Sequence, residues 1–247
     1  MQFPKMILFD YGHTLCCEPG FDLLNAEREL FRYVKHNPNN VTPEEACAFA
    51  AELFKELDKA RRDGFEVHEY PALRYKNEYL GLSYTVSLEE AEQIFWDATS
   101  EGAMMPGADV MLRYLRENGI RSAVISNIGF SVKALSSRIN RLLPENNLEF
   151  IIASSEYCFR KPSPRLFELA LKKAGLEAKD VWYCGDNPVA DVEGAAGAGL
   201  FPVWYDNDFE KVSPSGKNPS APIVEHLHIT DWQELLAVLD DLKTKQE

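Results

Sequence analysis

Residues 6–15 read MILFDYGHTL, and the rest of the chain is laid out from them. Met6, Ile7, Leu8 and Phe9 form an unbroken apolar run of strand length, the pattern of a strand buried on both faces, and Asp10 follows at its carboxyl end. A carboxylate there is costly unless it is used. Gly12 lets the backbone approach a ligand closely, and Thr14 offers a hydroxyl that steadies a turn. Taken alone, the stretch fits a strand running into an Asx-type turn as well as it fits a strand delivering a catalytic carboxylate.

Working outward, Pro19-Gly20 punctuates the chain, and helical patterns then take over. Asp22 to Lys35 spaces Leu23, Leu24, Leu30, Phe31 and Val34 along one helical face. Thr42-Pro43-Glu44-Glu45 opens a second helix running to Arg62, and Pro71 to Leu80 supplies a third. Ser87 and Glu90 stand in capping-box spacing at the start of a fourth, which ends at Thr99. From Pro106 helix and strand alternate. Ser122–Ile125, Phe150–Ala153, Val181–Cys184 and Phe201–Tyr205 are strand-like, separated by helices over 108–118, 132–143, 164–174 and 190–198. The Pro- and Ser-rich segment 212–222 reads as a surface loop, followed by a short strand ending at Ile229 and a helix over 231–242. The alternation predicts an α/β fold, a Rossmann-like doubly wound parallel sheet, with an all-helical insertion. In such a sheet ligands bind beyond the carboxyl ends of the strands, where Asp10, Ser126 with Asn127, and Asp186 stand.

Composition narrows the chemistry. The 247 residues are 45% hydrophobic and 26% charged, enough for a sizeable core, and 39 acidic against 26 basic residues give a net charge of −13. That charge argues against nucleic acid and anionic membranes as partners, and an anionic substrate would need local cations or a metal. Cys16, Cys17, Cys47, Cys158 and Cys184 are odd in number and contain no CxxC pair, so neither a disulfide framework nor a zinc knuckle is expected. A short apolar run ending in Asp10 is too brief for a signal peptide, and a cytoplasmic location is the expectation. No stretch marks an interaction helix or an oligomeric state.

Four strand-end and loop motifs, in order, resemble those of the haloacid dehalogenase-like hydrolase superfamily. They are Asp10-Tyr11-Gly12-His13-Thr14-Leu15; Ser126 in VISN; Lys161 in RKPSPRLF; and Asp186 with Asp191 in GDNPVAD. The resemblance covers nearly the whole chain, including PGADVMLRYLRENG before the second motif and GAAGAG after the fourth. It implies a catalytic core of residues 1–18 and 103–247, with a helical cap of residues 19–102 inserted after the first motif. It further implies Asp10 as nucleophile toward a small phosphorylated metabolite. Mg²⁺ would be held by Asp10, the Gly12 carbonyl and Asp186, with Asp191 ligating through water or orienting the shell. Ser126 and the Asn127 amide would bind phosphoryl oxygens, and Lys161 would neutralise charge. Phosphoryl transfer to a carboxylate needs these types: an ionised nucleophile, cations against charge repulsion, and donors for the oxygens.

One position departs from the pattern. Family phosphatases carry a second aspartate two residues after the nucleophile, as acid and then base; here that position is Gly12. The proton-transfer contribution, typically about 10²- to 10⁴-fold, then lacks its usual provider, and His13 is the neighbouring group able to titrate near neutrality. Two alternatives follow from the gap. One is a metal-independent dehalogenase, for which Tyr11 stands one position early. The other is a family member that binds a phosphorylated ligand or a partner without turnover. In the insertion, His68, Arg74, Tyr75 and Lys76 could meet a substrate, although a mixed helix of this kind more often presents a solvated face.

Overall fold

The computed structural model describes residues 1–207 and 221–245. The opening apolar run is strand β1 (Met6–Phe9), and the chain turns through Tyr11–Leu15 into the short strand β2 (Cys16–Cys17). An insertion follows: α1 (Leu23–Phe31), β3 (Val34–His36), α2 (Pro43–Arg62), α3 (Glu69–Leu80), β4 (Ser83–Tyr84) and α4 (Leu88–Thr99). It rejoins through β5 (Ala103–Met104), which pairs antiparallel with β2, Cys16 opposite Met104 and Cys17 opposite Ala103. Both crossings between insertion and core therefore run through one two-stranded ribbon.

The remainder alternates helix and strand: α5 (Ala108–Glu117), β6 (Arg121–Ser126), α6 (Val132–Leu142), β7 (Ile151–Ala153), α7 (Pro164–Ala174) and β8 (Val181–Gly185). It continues with α8 (Gly194–Gly197), β9 (Phe201–Tyr205), β10 (Leu227–Ile229) and α9 (Trp232–Thr244). Six strands form one parallel sheet in the order β10-β9-β8-β1-β6-β7. Strand order reverses around β1, which places the ligand-binding crevice of a doubly wound sheet at its carboxyl end. β1 is buried on both faces, as its unbroken apolar run requires. Ile7 and Phe9 pack into the cluster built from α5, α6 and α9, while Met6 and Leu8 pack against Leu166, Phe167 and Ala170 of α7.

The insertion departs from the all-helical expectation in one respect. Helix α1 stops at Phe31, and Val34 instead enters β3, which pairs antiparallel with β4 at Val34 and Tyr84. Strands of two and three residues are too short to leave an alternation in sequence. The helix starts follow their capping signals: Thr42 with Glu45, and Ser87 with Glu90, form reciprocal capping boxes on α2 and α4. A second difference lies after β8. The expected helix over 190–198 begins as a π-helical turn, Pro188–Glu193, whose amino end is capped by the Asn187 side chain, and becomes α8 only at Gly194. Of the loop read over 212–222, residues 212–220 lie outside the described residues. Among the described residues no helix is long and apolar enough to cross a membrane.

Candidate active site

Three neighbouring strands, β6, β1 and β8, end at one edge of the sheet and deliver Ser126, Asp10 and, just past Gly185, Asp186. Lys161 enters from the loop before α7. Its Nζ lies 2.7 Å from Asp10 Oδ1, 2.7 Å from Asp191 Oδ1, 2.9 Å from the Ile125 carbonyl and 2.6 Å from the Tyr183 hydroxyl. The π-helical turn carries Asp191 inward, and its other oxygen, Oδ2, accepts from the Asn187 amide at 2.9 Å. One carboxylate oxygen each from Asp10, Asp186 and Asp191 lie within 4.8 Å of one another.

Local chemistry explains the arrangement. A Cβ on Gly185 would overlap the Asp191 side chain, so the glycine is what lets the carboxylate lie against the end of β8. The Asn127 side chain is occupied on both sides: Oδ1 accepts from the Lys161 amide at 2.8 Å and Nδ2 donates to the Lys161 carbonyl at 2.9 Å. The loops after β6 and before α7 are thereby tied together. Tyr11 turns away from the centre. It is buried against Trp96 in an edge-on ring contact, with its hydroxyl 3.5 Å from Glu18. The backbone at His13 is left-handed, with φ of 53°, and its carbonyl accepts from Asn207 Nδ2 at 2.8 Å.

Burial pushes the Asp10 carboxyl up to about 6; Lys161 pulls it down and Asp191 pushes it further up. For Lys161 desolvation is the largest single effect and disfavours the ammonium. The carboxylates of Asp10 and Asp191 together outweigh it and hold the amine above the ordinary lysine value. The centre is therefore a lysinium shared by two carboxylates, in a pocket that leaves Lys161 and Asp191 almost without solvent contact.

The residues marked by the four motifs lie at this edge: Asp10, Gly12, Ser126, Asn127, Lys161, Asp186 and Asp191. Tyr183 was not among them. Its hydroxyl sits on a strand buried on both faces, and a buried tyrosine needs a polar partner, which was the available signal. The insertion residues fall elsewhere. Lys76 is buried and paired with Glu27, the His68 ring caps α3, and Tyr75 stacks on Phe49 and meets Tyr79 in a tilted ring contact.

A family profile of haloacid dehalogenase-like hydrolases matches residues 4–199. The chain belongs to this family. Glyceraldehyde 3-phosphate phosphatase of Pyrococcus abyssi is 29% identical over 203 residues, covering 81% of each chain. Phosphoserine phosphatase of Thermus thermophilus is 29% identical over 125 residues, covering 51% of this chain and 49% of its own. In fold, the chain is similar to the crystal structure of a 2-haloacid dehalogenase from Pseudomonas syringae. The TM-score is 0.64 at 22% identity, over 96% of this chain and 99% of that one.

Proposed function

We propose that this hydrolase removes phosphate from a small phosphorylated metabolite, using Asp10 as nucleophile and Mg²⁺ as cofactor. The observation that carries the reading is the Lys161 ammonium 2.7 Å from Asp10 Oδ1, beside the carboxylates of Asp186 and Asp191. A carboxylate attacks a phosphate dianion only where cations offset their repulsion. Relatives named as phosphatases support the same direction.

Three carboxylates are hard oxygen donors of the kind Mg²⁺ takes, so the donor set fits the ion. Asp10, Asp186 and the Gly12 carbonyl would hold it. Asp191, whose oxygens already accept from Lys161 and the Asn187 amide, would orient the shell or reach through water. Bound there, Mg²⁺ supplies positive charge against the charge developing on the phosphoryl oxygens.

Asp10 attacks phosphorus, the bond to the leaving oxygen breaks, and an aspartyl phosphate forms. Water then cleaves it, restoring the carboxylate and releasing orthophosphate. The Ser126 hydroxyl and the Asn127 backbone amide donate to the phosphoryl oxygens, and Lys161 offsets charge on Asp10 and the phosphate. Because the Asn127 side chain is engaged with Lys161, its backbone amide is the group left for the ligand. Residues 19–102 act as a cap whose bulk over this edge favours a small substrate over a folded phosphoprotein.

Position 12 limits the rate. A Cβ there would meet only Asp10 Oδ2, at 3.9 Å, an ordinary contact, so a side chain can leave the backbone at this position without overlap. The test is a phosphatase assay across a metabolite panel, with and without Mg²⁺. Activity should require the metal, vanish in Asp10→Asn and rise in Gly12→Asp, most for alkyl phosphates. Activity appearing only in Gly12→Asp would favour a binding protein. Halide release from a haloacid without metal would favour the dehalogenase, a reading that the burial of Tyr11 against Trp96 disfavours. If His13 supplies the missing proton, His13→Ala should slow an alkyl phosphate more than p-nitrophenyl phosphate, whose leaving group departs unprotonated. Equal slowing of both would leave His13 only its role in the left-handed turn.

A further inference from the structure

The segment joining α2 to α3 places a carboxylate where the insertion meets both loops of the centre. The Glu66 side chain is fully shielded from solvent and receives four donors from three parts of the chain. Its Oε1 accepts from Arg61 Nε at 3.0 Å and from the Val67 amide at 3.1 Å. Its Oε2 accepts from the Ser154 hydroxyl at 2.7 Å and from Arg160 Nη1. Two of these donors lead directly to the centre. The Ser154 oxygen accepts in turn from the Ile128 amide at 2.8 Å, two residues beyond Ser126, while Arg160 immediately precedes Lys161. The backbone reinforces the contact: the Glu66 amide donates to the Cys158 carbonyl and the Arg160 amide to the Gly64 carbonyl, both at 2.9 Å. Phe65 and Phe159 form an isolated antiparallel bridge between the two segments.

We propose that Glu66 is a positioning residue that sets the loop after β6 and the Lys161 loop together whenever the insertion is seated on the core. The inference rests on the phosphatase reading only for the roles of those loops. Its physical basis is that a buried carboxylate fully supplied with donors has no acceptable half-broken state. Moving the insertion away takes the Ser154 and Arg160 donors from Glu66 together, leaving it only Arg61 and the Val67 amide, and leaves Arg160 without its carboxylate, so seating is closer to a switch than a drift. Seating and loop geometry then change as one event. The insertion holds the same loop at two further points: the Glu69 amide donates to the Gly129 carbonyl at 2.8 Å, and Glu92 accepts from the Ser131 amide at 2.7 Å.

Three variants separate positioning from simple attachment: Glu66→Gln, Ser154→Ala and Arg160→Met, assayed with p-nitrophenyl phosphate and Mg²⁺, with orthophosphate as inhibitor. Small displacements of reacting groups cost up to about 10²-fold, so Glu66→Gln should lower kcat by about 10- to 100-fold and also raise the orthophosphate inhibition constant several-fold. Ser154→Ala, which cuts only the branch to Ile128, should raise KM and the orthophosphate constant, with kcat within about twofold of the parent. Arg160→Met, which cuts only the branch to Lys161, should lower kcat with KM within about twofold. A lost structural tie would produce no such split; kcat and KM unchanged in all three, or shifted in the same proportion in all three, overturns the proposal. If the parent protein hydrolyses no phosphate ester, the phosphatase reading falls, and the coupling is read by amide hydrogen exchange instead. Glu66→Gln should then speed exchange at both Ile128 and Arg160 by about tenfold or more while β8 is unchanged. Unaltered exchange at either amide overturns it.

Discussion

The Lys161 ammonium has three hydrogens and four oxygen neighbours, so the Tyr183 hydroxyl turns its own hydrogen toward the Ile125 carbonyl at 3.0 Å or Asp191 Oδ1 at 3.2 Å. Tyr183→Phe leaves the lysine three acceptors for three hydrogens. Its stability should fall by no more than about 1 kcal/mol in chemical denaturation, with turnover reduced but present. Lys161→Met is a different case, because it leaves Asp10 and Asp191 side by side without a cation. We expect a loss of about 3–5 kcal/mol near neutral pH. The Asp10 carboxyl in the folded protein already sits near 6, above the 3.8 of an unperturbed aspartate, and removing the lysine moves it further up. A folded-state value above the unfolded one means a neutral carboxyl costs little below about pH 4, and the penalty grows as pH rises through and beyond 6. Thermal melts should therefore show a larger deficit for Lys161→Met at pH 8 than at pH 5; the reverse order would contradict the assigned electrostatics. Gly185→Ala drives a Cβ into Asp191 and should cost about 1–3 kcal/mol together with most of the activity. Asp10, Ser126, Lys161 and Asp186 were legible because strand ends and loop motifs mark them. Tyr183 and Glu66 were not, since nothing local distinguishes a hydroxyl or carboxylate whose partners lie far along the chain.

Helix α3 opens with Glu69, buried where the insertion faces Gly129. Burial raises its carboxyl to about 7; Arg61 and Lys76 pull it down, while Glu92 and Glu27 push it up. The folded protein thus holds this proton at pH values where an unfolded glutamate, near 4.5, has lost it. The stability this gives is complete below about 4.5 and is lost as pH rises through about 7. Glu69→Gln keeps the shape and removes the titration. Relative to the parent it should gain on the order of 1–3 kcal/mol between pH 5 and pH 8. Urea denaturation at the two pH values measures this, and parallel stability profiles would refute it. Elements with strong end signals were read well: α2 from Thr42, Pro43 and the acids that follow, and α4 from the spacing of Ser87 and Glu90. The elements misread were those whose form depends on a partner. Val34 is drawn from a helical pattern into β3 by pairing with Tyr84, and the turn at 188–193 widens where Asp191 bonds inward to Lys161.

Arg138, on α6, is a second anchor between the insertion and the core. Fully buried, it donates to Glu18 at 3.1 Å, to Asp97 at 2.9 Å and to the carbonyls of Trp96 and Ser100 at 2.8 and 2.9 Å, and it lies over the Trp96 ring. Arg138→Met should cost about 3–5 kcal/mol and loosen the insertion, seen as faster proteolysis between residues 18 and 102 before the core unfolds. A cooperative loss of the whole chain, with no such intermediate, would refute the separation. The sequence by itself determined the parallel sheet, because unbroken apolar runs spaced by single helices have few other ways to be buried. It also determined the four clusters of polar residues at strand ends and in the loop before α7, whose spacing follows from that repeat. Only the tertiary structure decided how those clusters close on one lysine, how Glu66 ties the insertion to the loops beside it, and how Arg138 ties the insertion to α6. These are contacts between residues about 90 to 150 positions apart in several cases. Local propensity and periodicity carry no information across such distances, whereas packing and the need to pair every buried charge do.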